Sequence, residues 1–227
     1  MTTIASNLQA VTDAIAAAAA KSGRHADEVR LLAVSKSFPP GAIREAYRAG
    51  QTSFAESYVQ EALDKIAALD DLPIEWHYIG PIQSNKTRPI AETFAWVHSV
   101  DRLKIAERLS DQRPANLPPL QVCLQVNISG ETSKGGVSPA EVSALAHAIA
   151  KLPRLKLRGL MAVPAPCDDV VAQRLPFAQL REIRDQLNRQ GLQLDTLSMG
   201  MSHDFAAAIA EGATMVRIGT AIFGERG

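Results

Sequence analysis

Lys36 stands directly behind a short apolar run, LLAVSK over residues 31–36. An ordinary lysine has a pKa of about 10.4, so its amine is almost fully protonated at neutral pH. Apolar walls lower that pKa and release a nucleophile suited to imine formation with a carbonyl compound. By position alone, a solvated lysine opening a loop is the better explanation. Two segments near the other end change the odds. Ser198-Met199-Gly200-Met201-Ser202 and Arg217-Ile218-Gly219-Thr220 combine hydroxyls, glycines and successive backbone N–H groups, the composition of a phosphate cradle. A helix opening near Ser202 would aim its positive end at the same spot. The structural alternatives are a plain N-cap for Ser202 and a tight turn for Gly219. Arg217 lies inside MVRI, where an unpaired ion costs several kcal/mol to bury. An acidic partner would satisfy it, and so would a ligand nitrogen or phosphate.

Other residues carry weaker signals. His77 and Tyr78 end an apolar run, with Gly80, Gln83, Asn85 and Lys86 behind them. Asn127 and Lys134 follow another, and the glycines at 135–136 suggest a mobile loop. Core filler and solvated loop account for these equally well. Ser57, in ESYVQ, reads as a helix-capping box. Lys151, Arg154, Lys156 and Arg158 alternate with leucines and read as a solvated face. No HExxH, paired His/Cys, GxSxG, GxGxxG or GxxxxGK[ST] pattern occurs, so no metal is expected.

These residues need a scaffold, and the chain supplies a regular one. Apolar β-type runs recur at 31–35, 53–55, 74–79, 94–98, 120–127, 155–161, 194–198 and 214–218. Most are continuously apolar, as expected for strands covered on both faces. Helical spacing fills the gaps: Phe177, Leu180, Ile183 and Leu187 share one face, and so do Val142, Leu145 and Ile149. Ser138-Pro-Ala-Glu141 offers a capping box, and Gly23, Gly50, Gly191 and Gly212 stand where left-handed C-terminal caps belong. Pro176 is expected either to end a short turn or to begin a helix. An extra N-terminal helix followed by eight alternating strands and helices implies an α/β fold, a single (β/α)₈ TIM barrel occupying residues 1–227. Such a barrel carries its chemistry on the loops after the strands, often with phosphate held after strands seven and eight.

Composition narrows the partners. Lys plus Arg equals Asp plus Glu at 24 each, so no net field gathers nucleic acid or an anionic membrane. The polar opening MTTIASNLQ lacks a signal-peptide pattern, and the alanine run at 16–20 is too short to span a bilayer. A cytoplasmic monomer is expected. Of the two cysteines, Cys123 sits in an apolar run and reads as a small core hydrophobe.

Four segments together carry a resemblance: LLAVSK ending at Lys36, WHYIGPIQSNK over 76–86, GLMAVPAP over 159–166, and LSMGMSHD with MVRIGTAIFG over 197–224. They resemble the pyridoxal phosphate homeostasis protein family, and the likeness runs through nearly the whole chain. That family has the barrel of the alanine racemase N-terminal domain without the racemase's second domain. The resemblance implies pyridoxal 5′-phosphate held as a Schiff base on Lys36. It implies Arg217 against the pyridine nitrogen, and Ser198, Gly219 and Thr220 around the phosphate. Ser202 and the Met199–Gly200 backbone would lie close by, with Ser57, His77 and Asn127 as further contacts. In FAESYVQEA, Ala55 and Ser57 replace the family's usual glycine and asparagine.

The function implied is storage of the cofactor, with delivery to apo-enzymes, and no catalysis. An amino-acid racemase is the alternative. It needs an acid and a base on opposite faces of the ring. The chain ends at Gly227 soon after the eighth strand, so no second domain is expected to supply the other group. A permanently charged arginine at the ring nitrogen also disfavours its protonation and weakens the ring as an electron sink. If Lys36 is the attachment point, borohydride reduction followed by peptide mass mapping places the adduct on the peptide containing Lys36. An adduct confined to Lys86 or Lys134 refutes the assignment.

Overall fold

The computed structural model describes residues 3–131, 134–167 and 169–225. The first two residues of the polar opening and the terminal Gly227 lie outside them. Eight parallel strands close into a barrel in chain order: β1 (Arg30–Val34), β2 (Ser53–Glu56), β3 (Glu75–Tyr78), β4 (Trp96–Val100), β5 (Leu120–Gln125), β6 (Leu155–Met161), β7 (Thr196–Ser198) and β8 (Met215–Ile218). Closure is made by β1, which pairs with β2 on one side and β8 on the other. The helices are α1 (Ile4–Lys21), α2 (Pro40–Arg48), α3 (Val59–Ala68), α4 (Thr87–Thr93), α5 (Leu103–Gln112), α6 (Val142–Ile149), α7 (Val170–Arg189), α8 (Phe205–Ala210) and α9 (Thr220–Phe223).

The expected extra helix is α1. Thr3 and Ser6 form a reciprocal capping box, and Leu8, Val11, Ile15, Ala18 and Ala19 make its buried stripe. It lies against α8 and α9, and Asn7 donates to the Ile222 carbonyl at 3.0 Å. The four expected cap glycines all take the left-handed region, with φ from +68° at Gly23 to +101° at Gly50.

Strand alternation sorts the residues into two environments. Ala33 packs outward against the helices with the large core. Leu32 and Val34 turn inward to meet Ala55 and Met215, while Trp96, Cys123 and Met161 form a second inner cluster. Cys123 is fully buried, and burial pushes its thiol up to about 12. Arg158 lies 4.8 Å above the Trp96 ring and pairs with Asp195 at 2.7 Å, so the basic alternation on β6 is partly engaged rather than solvated throughout. Lys156 alone of the β6 residues is exposed.

Several local expectations are corrected. Phe94 is no strand residue, because its N–H closes α4 on Ile90. Leu194 is held outside β7 by two hydrogen bonds to the Asn188 side chain. The Ser138–Glu141 box does not cap a helix. Its two side chains bond each other in a separate turn, and α6 begins at Val142. Pro176 neither ends a turn nor starts a helix. Asp169 caps α7 at Ala172 with a 2.7 Å bond, and the helix runs through the proline. The proline costs about 3 kcal/mol, which burial of Phe177, Leu180 and Leu187 offsets. The glycines at 135–136 are pinned to β5. The Gly135 carbonyl accepts from Gln125 and the Val137 N–H donates to the Gln125 carbonyl, each at 2.9 Å.

Among the described glycines, the closest approach joins β6 and β7, where a Cβ on Gly159 would stand 1.7 Å from the Thr196 carbonyl oxygen. Gly159→Ala is therefore expected to cost about 3 kcal/mol or more by forcing two paired strands apart. Urea unfolding measures it, and a loss below about 0.5 kcal/mol contradicts the packing.

Candidate functional site

A cavity of about 310 Å³ opens at the C-terminal mouth of the barrel. Its polar wall combines Lys36 after β1, Ser57 after β2, Ser202 and His203 after β7, Arg217 on β8 and Thr220 opening α9. Val34, Ile79, Met161 and Val163 make the apolar wall, and Gly219 completes it. A Cβ at Gly219 would lie 3.1 Å from the Val34 carbonyl, so glycine lets the start of α9 sit close against β1.

Lys36 is placed by a tight turn. The Phe38 N–H donates to the Ser35 carbonyl at 3.0 Å, and Ser37 takes φ +69°, a strained choice for a residue with a Cβ. A buried ionic group clamps this turn from behind. The Ser35 hydroxyl donates to Glu56 Oε1 at 2.6 Å and the Ser37 N–H to Glu61 at 2.5 Å. Lys65 reaches the Ser35 carbonyl and Glu56 at 2.9 Å each, and Glu61 at 2.5 Å. Burial raises the Glu56 carboxyl, against the pull of Ser35 and Lys65.

Arg217 is 4% exposed. One guanidinium nitrogen donates to the Ser198 carbonyl at 2.6 Å and hydroxyl at 2.8 Å, and the other to the Ala162 carbonyl at 2.9 Å. Burial brings its pKa down to about 10, with Asp204 acting in the opposite sense. All three bonded partners are neutral oxygens.

The remaining sequence candidates do not line the cavity. Ser198 is fully buried beneath it, its hydroxyl engaged by Arg217 and, at 2.8 Å, by His98 Nδ1. Met199 is buried and donates its N–H to the Met215 carbonyl. Gly200 has φ +95°, and a Cβ there would stand 2.7 Å from Ala208 Cβ, so its role is close packing of α8. His77 lies fully buried between His98 Nε2 at 2.9 Å and Glu75 at 2.7 Å. Asn127 spends its amide on the Glu131 and Lys134 carbonyls of its own loop. Two local expectations also change. Ser57 caps nothing, since the residue at the N-cap of α3 is Tyr58. No helix starts at Ser202, because the Met201 N–H donates to Asp204 and α8 begins at Phe205.

Sequence reasoning missed the His98 contact and the Lys65 clamp. The histidine signal was available, since alternation along EWHY and WVHS puts His77 and His98 on the same side of adjacent strands.

The family model of the alanine racemase N-terminal domain matches residues 7–227. The pyridoxal phosphate homeostasis protein of Pseudomonas aeruginosa is 62% identical over 226 residues, covering all of this chain and 97% of that protein. Its namesake in Escherichia coli is 56% identical over 229 residues, covering all of this chain and 98% of that protein. The chain belongs to the pyridoxal phosphate homeostasis protein family. Among solved structures, PipY of Synechococcus elongatus with PLP bound is 41% identical, with TM-score 0.81 over 92% of this chain and all of that one. Alanine racemase of Corynebacterium glutamicum, at 16% identity and TM-score 0.67, covers 95% of this chain and 60% of that chain, and shares the fold. Within the family pattern, Ala55 is fully buried and its methyl packs with Leu32, Val34 and Met215, while Ser57 reaches the cavity.

The clamp behind Lys36 can be tested by stability. Lys65→Met leaves Glu56 buried without its cation and is expected to cost 3–5 kcal/mol, an order-of-magnitude figure. Adding Glu56→Gln should recover much of that loss. Urea unfolding of the single and double variants reads the coupling, and additive losses refute the clamp.

Proposed function

We propose that this chain holds pyridoxal 5′-phosphate on Lys36 and serves intracellular homeostasis of that cofactor, storing it and delivering it to apo-enzymes without catalysing a reaction. Residues 1–227 act as one domain, a monomer in the cytoplasm. Among the described residues no helix is long and apolar enough to cross a membrane. One observation carries the reading: a single cavity joins Lys36 from β1 with Arg217, Gly219 and Thr220 from the end of β8.

The residues fit the group. When bound, the cofactor supplies an aldehyde that condenses with an amine and a ring that can draw electron density. Lys36 offers the amine, and the apolar wall of Val34, Ile79, Met161 and Val163 suits a flat ring. Ser202 and Thr220 offer hydroxyl donors to a phosphate, with Gly219 leaving room beside them. Ser198 lies behind this wall, its hydroxyl bonded to Arg217. Arg217 lines the cavity as a donor that stays charged at neutral pH.

The tyrosines support a non-catalytic reading. The Tyr78 hydroxyl donates to the Ser57 and Pro81 carbonyls at 3.2 and 3.1 Å, and burial pushes it up to about 12. Tyr47 lies on α2, outside the barrel, and neither it nor Tyr58 lines the cavity. No tyrosine among the described residues is placed to act as a second acid or base, which leaves His203 as the remaining imidazole in the cavity wall.

Two measurements test the proposal. Pyridoxal, which lacks the phosphate, should bind at least tenfold more weakly than its phosphate, since each charge-assisted bond contributes about 1.5–3 kcal/mol. Equal affinities refute the anion site. The loaded protein, incubated with L-alanine in deuterated water, should give no exchange at Cα at an enzyme-like turnover. Exchange that Lys36→Ala abolishes overturns the carrier reading in favour of the racemase.

A further inference from the structure

The barrel interior contains a hydrogen-bonded chain that attachment of a cofactor to Lys36 does not require. It starts at Arg217 beside the cavity, passes to the Ser198 hydroxyl (2.8 Å), His98 (2.8 Å) and His77 (2.9 Å), and ends at Glu75 (2.7 Å). Both imidazoles are fully buried, and desolvation holds both below their ordinary pKa, His98 well below. Glu75 also pairs with Arg30 at 2.6 Å. Burial alone would raise its carboxyl, but His77 and Arg30 outweigh that and keep it lowered.

With two neutral rings and an ionised Glu75, one proton arrangement fills every link. Glu75 can only accept, so His77 carries its proton on Nε2. His77 Nδ1 then accepts from the Nε2–H of His98. His98 Nδ1 accepts the Ser198 hydroxyl proton, and the Ser198 oxygen accepts from Arg217. Every donor points toward Glu75, so the electron-rich end of each imidazole faces Arg217. Bonds aligned in this way polarise and strengthen one another.

We propose that Glu75, His77 and His98 are positioning residues for the cofactor ring, acting through Ser198 to aim Arg217 and keep it charged where only neutral oxygens touch it. This rests on the proposed function. The charged groups acting on the rings are Arg30 from β1, Glu75 from β3 and Arg217 from β8, while Trp96 of β4 stacks on His77 with centroids 5.4 Å apart.

Nitrogen-15 NMR of the wild-type protein tests the proton arrangement without any substitution. Both rings should be neutral, with the proton on Nε2, between about pH 6 and 8. A protonated ring or an Nδ1–H form overturns the proposal. Glu75→Gln and His98→Gln, loaded with pyridoxal 5′-phosphate, then test the effect on the ring. Glu75→Gln keeps an acceptor and removes the negative charge, so the pH midpoint of the cofactor's visible absorbance change should fall by roughly half a unit. His98→Gln should move the absorbance maximum itself. A merely structural role lowers the melting temperature and leaves both spectral readouts in place, which refutes the proposal. A wild-type protein that gains no visible band on loading refutes the reading of the site and this inference together, whereas a band that both variants leave unchanged refutes this inference alone.

Discussion

A guanidinium has been buried at the centre of this barrel, bonded to no carboxylate among the described residues and acted on only at longer range by Asp204. Arg217 is 4% exposed, and its bonded partners are two backbone carbonyls and a serine hydroxyl. Leaving an ion in such a place unpaired costs several kcal/mol, so negative potential must come from Asp204 at longer range and from the polar groups around it. The partners come from distant parts of the chain: Ser198 ends β7, Ala162 follows β6, His98 lies on β4, and His77 and Glu75 lie on β3. Only a closed sheet brings those strands around one interior point. The closure made by β1 with β8 is therefore a condition for the site as well as for the core.

The two cations of the cavity are handled in opposite ways. Arg217 is held from within by two backbone carbonyls and the Ser198 hydroxyl. Lys36 is placed from outside the sheet, by a strained turn clamped between Glu56, Glu61 and Lys65. Because Lys65 bonds Glu56 and Glu61, those carboxylates fix the backbone of the Lys36 turn through ion pairs already formed. The clamp gives the lysine a defined starting direction while the wall it meets, from Val34 to Val163, is apolar.

The strands, the cap glycines and the clustering of Lys36, Arg217, Gly219, Thr220 and Ser202 at one mouth were legible in the sequence, because strand order and the barrel rule locate loop residues well, whereas the residues alone made Ser57 a cap. Side-chain direction at strand ends was less legible. Ser198 closes a strand of three residues, and its inward face carries the hydroxyl beneath the cavity toward His98. Asn127 is lost to the site because its own loop offers two carbonyls at shorter range. Pro176 misled because propensity is local, whereas the burial that carries α7 through it is tertiary. The Lys65 clamp was hard to read in the sequence, since it joins the turn after β1 (Ser35, Ser37) to Glu56 of β2 and to Glu61 and Lys65 of α3.

A ring nitrogen facing an aspartate is kept protonated, and the ring then withdraws electrons strongly. Facing an arginine, as proposed for Arg217, the same nitrogen would serve as an acceptor, and protonating it would set two cations against each other. In the proposed arrangement, the polar chain would work against that protonation by stabilising the guanidinium in place. Under the proposed function, Lys36 and the wall of Ser202, Gly219 and Thr220 would hold the cofactor, while Arg217 would withhold the electron demand that carbanion chemistry needs. In that reading, holding and reacting would be separated by the choice of one cation and by the Ser198, His98, His77 and Glu75 chain behind it.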